Sequence, residues 1–440
     1  MKKIISIFVS LVIVLSMIGA VSASAISFDC DVKTYSDSIL MVNLDSEMVV
    51  FEKDADSKRY PASLTKIMTY IIVAEYFDDY NNTRIDIPQA TITNLLNNGI
   101  SCTGLEWHAG KSLTVTDMLY ALMVPVGHDS ATVLADYITK QGGTDFVQLM
   151  NDKATKLGCK GTHFANPTGV HDANHYTTAR DMYLITRYAM GLPLFSKICS
   201  TSTYYLEGDE YPITTTNYMI DSGRGGDYFY TYATGVKNGT TDEAGRCLVS
   251  TAMYDGYAYM TVCLHAPYNY EKEDTEQYCM IESADLYRWA FLNLEFVTQV
   301  TKDTPICEQK VEHAWDTDSI LLVPETDLNV ILPGDFKEAD VTITPDTSEP
   351  VSAPISKGDI ITTATVYYKG DKVTTINLVS QEDVRVSLIL YVSELVKSVI
   401  TSVWFLIAVL LVVILFVFYV AVSTSYSKKK RSQSNGRNRR

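Results

Sequence analysis

The sequence predicts an α+β fold, with a largely antiparallel sheet and a block of helices, then a small all-β domain and a C-terminal transmembrane helix. Three observations lead there. Hairpin signals stand at both ends of the first part of the chain, helical periodicity fills the stretch between them, and after residue 297 short β-rich runs alternate with prolines. The first hairpin joins residues 39–42 and 49–52 around Asp45-Ser46-Glu47. A helix beginning at Ser63 then places Ile67, Tyr70, Ile71 and Ala74 at core spacing. Thr116 is expected to cap a second helix, through Met118, Leu119 and Leu122 to Val124. A third carries Val133, Leu134, Tyr137 and Ile138 on one face and stops at Gly142-Gly143. Thr144 is expected to cap a fourth, through Phe146, Leu149, Met150 and Leu157, ended by Gly158. Residues 248–253 and 257–264 flank Asp255-Gly256, a pair suited to the positive φ of a tight hairpin turn. A helix over residues 283–294 closes the domain.

The ends of the chain set its compartment. Residues 1–25 read as a secretory signal peptide: Lys2 and Lys3 precede an apolar stretch, and Ala23-Ser24-Ala25 offers a small-residue cleavage site. Residues 26–297 form the first domain and residues 298–383 the β-rich one, punctuated by Pro345, Pro350 and Pro354. Residues 384–398 connect it to an uncharged stretch, residues 399–422, long enough to span a bilayer, with Trp404 and Tyr419 near its rims. The tail, residues 423–440, is basic. The positive-inside rule therefore leaves it in the cytoplasm and places both domains outside a cell membrane crossed once.

Net charge is −16, and without Lys2, Lys3 and the seven cations of the tail the remainder holds 27 Lys and Arg against 52 Asp and Glu. So acidic a domain lacks the basic stripe that phosphate binding needs, which excludes nucleic acid as a partner. The eight cysteines all lie in the exported part and form no Cys-x-x-Cys pair. Disulfides and buried free thiols are both open to them.

Ser63 and Lys66 stand three residues apart at a helix start. A serine hydroxyl is a poor nucleophile near neutral pH and needs a neighbouring base. Positions i and i+3 share a helix face, so Lys66 can stand beside the Ser63 oxygen in that role. Taken alone, Ser-x-x-Lys also describes a helix start with a surface lysine. The surrounding text goes further, in Pro61-Ala62-Ser63-Leu64-Thr65-Lys66 and in Thr162-His163-Phe164-Ala165-Asn166-Pro167-Thr168-Gly169, continued by residues 175–181. On these motifs the chain resembles the serine-type D-alanyl-D-alanine carboxypeptidases of peptidase family S11, the low-molecular-mass penicillin-binding proteins. The resemblance runs from about Ser38 to Leu294 and more weakly through the β-rich domain.

That resemblance implies a penicillin-binding-protein/β-lactamase-like transpeptidase fold that works without cofactor or metal. Its implied ligands are peptidoglycan stem peptides ending in D-Ala-D-Ala and β-lactam antibiotics. It implies Ser63 as nucleophile, Lys66 as base, and Lys237, Asn238, Gly239 and Thr240 as the substrate-binding strand edge. Backbone N–H groups of Ser63 and Thr240 would form the oxyanion hole. Two motifs depart from the family pattern. Val126-Gly127-His128 replaces Ser-x-Asn, removing a relay hydroxyl, and Lys237-Asn238-Gly239 replaces Lys-Thr-Gly. His128 is expected to titrate near neutral pH and to take over part of the lost relay. The implied activity is removal of the terminal D-alanine. The alternative is a catalytically impaired, membrane-anchored protein that binds peptidoglycan peptides. His171 and His175 flank turn residues and do not form a zinc pattern, while Trp107 and His108 are expected in packing or at a cleft rim.

Overall fold

In the computed structural model of the protein, residues 28–268, 276–347 and 349–437 are described. The signal peptide expected over residues 1–25 and the last three residues of the basic tail lie outside them. Two compact units divide the chain. The first holds the described residues up to Gln299 together with Asn329–Thr342 and Val366–Thr374, and the second holds the remainder.

The first unit begins with the expected hairpin, β1 (Ser38–Asn43) and β2 (Val49–Lys53). A single 3₁₀ turn, Ala62–Leu64, leads into α1 (Thr65–Tyr76). Residues 65–74 of α1 are all buried, so the helix runs through the core and its apolar surface extends beyond the expected stripe. There follow β3 (Arg84–Asp86), α2 (Gln89–Asn97), β4 (Ser112–Thr114), α3 (Val115–Met123), α4 (His128–Gly142) and α5 (Phe146–Lys156). The cap of α3 is Thr114, not Thr116: its hydroxyl accepts from Asp117 N at 3.0 Å, and β4 delivers it there at the strand's last residue. Thr116 instead donates to Tyr80 O and Asn81 Oδ1. Asp145, not Thr144, caps α5, accepting from Gln148 N at 3.1 Å. Both misplacements have one cause. A capping oxygen must sit two or three residues ahead of an orphan N–H, and helix start is set by where the preceding segment ends.

After α6 (Ala179–Met190), α7 (Phe195–Cys199), β5 (Thr203–Tyr204) and β6 (Ile213–Thr214) come three long strands, β7 (Ala233–Thr241), β8 (Gly245–Tyr254) and β9 (Tyr257–Ala266). With the first hairpin they form one antiparallel sheet of order β2-β1-β9-β8-β7. β7 lies at its edge, and Asp255-Gly256 makes the β8–β9 turn as expected, both residues at positive φ. Helix α8 (Tyr278–Asn293) starts five residues earlier than the sequence pattern indicates. It is pinned to the sheet through the Tyr287 hydroxyl, which meets Ser250 Oγ at 2.8 Å and Thr261 N at 3.1 Å.

The chain continues through β10 (Leu294–Val300), β11 (Cys307–Glu312), β12 (Ser319–Pro324), β13 (Leu328–Pro333), β14 (Val341–Pro345), β15 (Val351–Ser352), β16 (Ile360–Tyr368) and β17 (Asp371–Ser380). β10 pairs with β13, and the others form a sheet of order β14-β16-β17-β12-β11-β15. Ile320, Leu322, Ala364 and Leu378 sit in its core. Helix α9 (Leu388–Thr401) ends at Ser402, and α10 (Val403–Arg437) contains Val403–Ser425, a stretch long and apolar enough to cross a membrane. All eight cysteines are free thiols.

Candidate active site

Ser63 occupies the 3₁₀ turn ahead of α1 and keeps partial exposure, while Lys66, one turn on, is completely buried. Lys66 Nζ stands 2.9 Å from Ser63 Oγ, 2.5 Å from Thr168 O and 3.5 Å from His128 Nδ1. Three acceptors match the three hydrogens of an ammonium. They also suit a neutral amine, which can give its two hydrogens to the Thr168 carbonyl and the imidazole and turn its lone pair to the Ser63 hydroxyl. Burial, and secondarily the Lys237 ammonium, hold the Lys66 amine well below the usual lysine range, with Asp129 pulling weakly the other way.

The Thr168 carbonyl is aimed by its own loop. Asn166 Oδ1 accepts from Thr168 N, Thr168 Oγ1 and Gly169 N at 3.1, 2.9 and 2.7 Å, and Thr69 Oγ1 on α1 donates to Pro167 O at 2.7 Å. Gly169, at φ +85°, lets this loop press on the nucleophile's turn: a Cβ there would fall 1.9 Å from Ala62 O. His175 braces the same turn. Its Nδ1 accepts from Ala165 N at 3.1 Å, so Nε2 carries the proton to Thr65 Oγ1 at 2.7 Å, which donates onward to Ala62 O at 2.8 Å. Burial keeps His175 neutral, with its pKa lowered to about 4.

The start of α4 supplies the second wall. Gly127, at φ +63°, tucks where a Cβ would meet Leu122 O at 2.4 Å, and this tight turn delivers His128 to Lys66. Burial first, then the Lys66 and Lys237 charges, lower the His128 pKa to about 3. The expected titration of His128 near neutral pH is therefore corrected: a half-buried imidazole beside Lys66 and Lys237 stays neutral there. Asp129, behind it, accepts from Ser130 N at 2.8 Å and Leu105 N at 3.3 Å, and burial raises its pKa to about 6. Val126 is half-buried beside them.

The third wall is β7. Lys237 is buried and donates to Pro125 O at 2.8 Å, and burial lowers its pKa to about 8. A Cβ on Gly239 would lie 2.5 Å from Ser63 N, so the strand edge runs directly against the nucleophile's amide. Asn238 Oδ1 accepts from Thr216 Oγ1 at 2.6 Å. The fold thus brings Ser63, Lys66, His128, Lys237, Asn238, Gly239 and Thr240 to the meeting of the α1 turn, the α4 start and the β7 edge. Sequence reasoning missed the Thr168 and Pro125 carbonyls and the Thr216 hydroxyl. Backbone acceptors leave no residue-type signal, although the Asn166–Gly169 text had marked that loop. Trp107 is 73% exposed and so is not packing, whereas His108 is buried and pairs with Asp209 at 2.8 Å. His171 packs edge-on against Tyr60.

This architecture matches that of known proteins. Residues 24–268 match the family model for D-alanyl-D-alanine carboxypeptidase, and residues 295–386 match that for the C-terminal domain of penicillin-binding protein 5. The D-alanyl-D-alanine carboxypeptidase DacF of Bacillus subtilis (strain 168) is 25% identical over 351 residues, 79% of this chain and 85% of DacF. DacC of Escherichia coli (strain K12), also named a D-alanyl-D-alanine carboxypeptidase, is 27% identical over 358 residues, 79% of this chain and 83% of its own. The crystal structure of penicillin binding protein 5 from Haemophilus influenzae superposes with a TM-score of 0.66 at 24% identity, over 81% of this chain and all of that one. With the family model covering more than half its length, the chain belongs to the D-alanyl-D-alanine carboxypeptidase family of serine peptidases, which are hydrolases.

Proposed function

We propose that the protein removes the terminal D-alanine from peptidoglycan stem peptides through a Ser63 acyl-enzyme, with Lys66 as the base. The observation that carries this reading is the 2.9 Å contact between Ser63 Oγ and a buried Lys66 amine whose basicity is depressed. Lys66 Nζ takes the Ser63 proton as Oγ bonds to the penultimate D-alanine carbonyl carbon. The C–N bond then breaks, and Lys66 passes that proton to the departing D-alanine nitrogen. Water attacks the ester in turn, giving its proton to Lys66, which returns it to Ser63 Oγ as the peptide acid leaves. The Ser63 and Thr240 N–H groups would receive the developing oxyanion. Lys237 supplies positive charge at the substrate carboxylate, and Asn238 and Gly239 line that edge. With Val126 offering no hydroxyl, the returning proton comes from Lys66 itself. His128 acts as a neutral acceptor that orients the amine.

β-Lactams, as acylating ligands, give the test. The full-length protein in detergent should take fluorescent penicillin covalently and release free D-alanine from a D-alanyl-D-alanine pentapeptide, and Ser63→Ala should do neither. Absence of label on the folded parent would sink the reading. It would favour a second one, motivated by Val126: an impaired enzyme that holds stem peptides without cleaving them. In either case the apolar helix suggests a membrane anchor, with residues 26–297 and 298–383 outside the cell and the basic tail in the cytoplasm.

A further inference from the structure

The proposed reaction sets the direction in which a peptide lies along β7. With its C-terminal carboxylate at Lys237 and Asn238 and its reacting carbonyl at the Thr240 N–H, the residues ahead of the two D-alanines run on past Thr240, toward the turn between β7 and β8. Glu243 lies in that turn, three residues on, at most roughly 10 Å away at the rise of an extended chain. It lines a cavity of about 310 Å³ together with Lys58, Arg59, Tyr60, Tyr176 and His265. Tyr60 ties this cavity to the nucleophile. It stands three residues ahead of Ser63, and its carbonyl accepts from Cys247 Sγ at 3.5 Å, on the residue paired with Gly239.

The walls carry opposite charges. On one side Arg59 is fixed by main-chain bonds in both directions with Thr177, each 2.8 Å, and by Nε donating to Ser38 Oγ at 3.0 Å. Its nearest carboxylate, Asp37, is 3.9 Å from Nη2 and is shared with His265 Nδ1 at 2.6 Å. The Lys58 ammonium stands over the Tyr176 ring, 4.0 Å from its centroid, and among the described residues it has no carboxylate partner. On the other side Glu243 faces His171 Nδ1 at 3.9 Å, too far for a hydrogen bond, and the His171 ring in turn packs edge-on against Tyr60, 4.7 Å between centroids. Two cations are thus under-matched on one wall and a carboxylate on the other, with tyrosine rings between them.

We propose that this cavity is a specificity subsite for the residue preceding D-Ala-D-Ala, and that it takes a straight side chain ending in a free α-amino acid group, with the carboxylate at Lys58 and Arg59 and the ammonium at Glu243. The inference rests on the reading of Ser63 and β7 as the peptide-cleaving site. The methylenes of such a side chain cover the span from Thr240 to the turn and lie against the tyrosine rings. A terminal group with a single charge matches one wall and leaves the other without its complement.

The test measures affinity, so it does not depend on turnover. In full-length Ser63→Ala protein in detergent, dissociation constants are determined for acetyl-X-D-alanyl-D-alanine with X as 2,6-diaminopimelyl, 2-aminopimelyl, lysyl or norleucyl. These side chains end in both groups, the carboxylate alone, the ammonium alone and neither. The first should bind most tightly and the last most weakly. Lys58 and Glu243 are both exposed, so replacing them leaves the core intact. Lys58→Met should weaken the diaminopimelyl and aminopimelyl peptides about fivefold, the scale of one half-exposed ion pair, and should not weaken the lysyl one. Lys58→Arg should restore both. Glu243→Gln should weaken the diaminopimelyl and lysyl peptides by a similar factor and spare the aminopimelyl one. Four equal affinities, a singly charged peptide bound as tightly as the diaminopimelyl one, equal losses on all four in either variant, or no binding of any of them would each overturn the proposal. If the parent protein labels with penicillin and releases D-alanine but the four peptides bind alike, the carboxypeptidase reading stands and this inference falls. If the peptides rank as expected but nothing is cleaved, the reverse holds.

Discussion

The α1 turn with its bracing loop and the α4 start with β7 meet at the same few ångströms of space, but they are furnished differently. Around the nucleophile the decisive contacts are made by main chain: Thr168 O takes a Lys66 hydrogen, and Gly169 and Gly239 allow backbone to press on Ala62 and Ser63. At the α4 start and at Asn238, side chains face the site. The departures from the family pattern, at positions 126, 128 and 238, all fall in the side-chain group. A carbonyl cannot be substituted away, and a glycine whose added Cβ would fall inside van der Waals contact admits no side chain. A side chain can be exchanged if another group supplies the lost function.

Experiments can break this contrast or refine it, beginning with the largest effect. Lys66→Met, which removes the base from its buried mount, should lower penicillin acylation by about four orders of magnitude, the upper range for a general base. Labelling time courses would show it. Gly239→Ala and Gly169→Ala should each cost about a hundredfold, the scale expected when a nucleophile is displaced by roughly an ångström. Wild-type acylation rates in either would refute the claim that backbone approach aims Ser63.

On the side-chain half the changes are smaller. Val126→Ser restores a hydroxyl, and D-alanine release should rise about tenfold, toward the lower range for an auxiliary proton carrier. An unaltered rate would show that Lys66 returns the proton unaided.

The pH profile should separate the titrating groups. Lys66 must be neutral to act, so acylation falls as the pH drops through its lowered pKa. Lys237 loses its charge as the pH rises through about 8, which weakens its hold on the carboxylate and its pressure on Lys66, so the rate declines again above that point. Asp129 contributes any inflection near 6. His128, with its pKa lowered to about 3, adds none in the neutral range. His128→Asn should therefore change the rate by only a few-fold and leave the profile's shape intact. A limb in the ordinary histidine range that vanished in this variant would make His128 a proton carrier after all.

Much of this site was legible in order of sequence. The i,i+3 spacing of Ser63 and Lys66 has one geometric outcome on a helix, and the Asp255-Gly256 turn has one usual partner arrangement. Helix starts were less so, because Thr114 and Thr116 are equally good capping residues and only the end of β4 chooses between them. His128 reads as a titrating residue from composition alone. Its neutrality follows from burial beside Lys66 and Lys237, which lie 62 and 109 positions away in the chain.

The amino-acid order by itself determined which chemistry was available: a serine and a lysine on one helical face, two glycines with no side chain to obstruct, an amide where a hydroxyl is usual. Folding decided how that chemistry is tuned. Depressed amine basicity, a carbonyl aimed at Nζ and an amide in contact with Thr216 all arise when distant segments exclude water together. Desolvation and hydrogen-bond direction belong to the assembled space and not to any one residue.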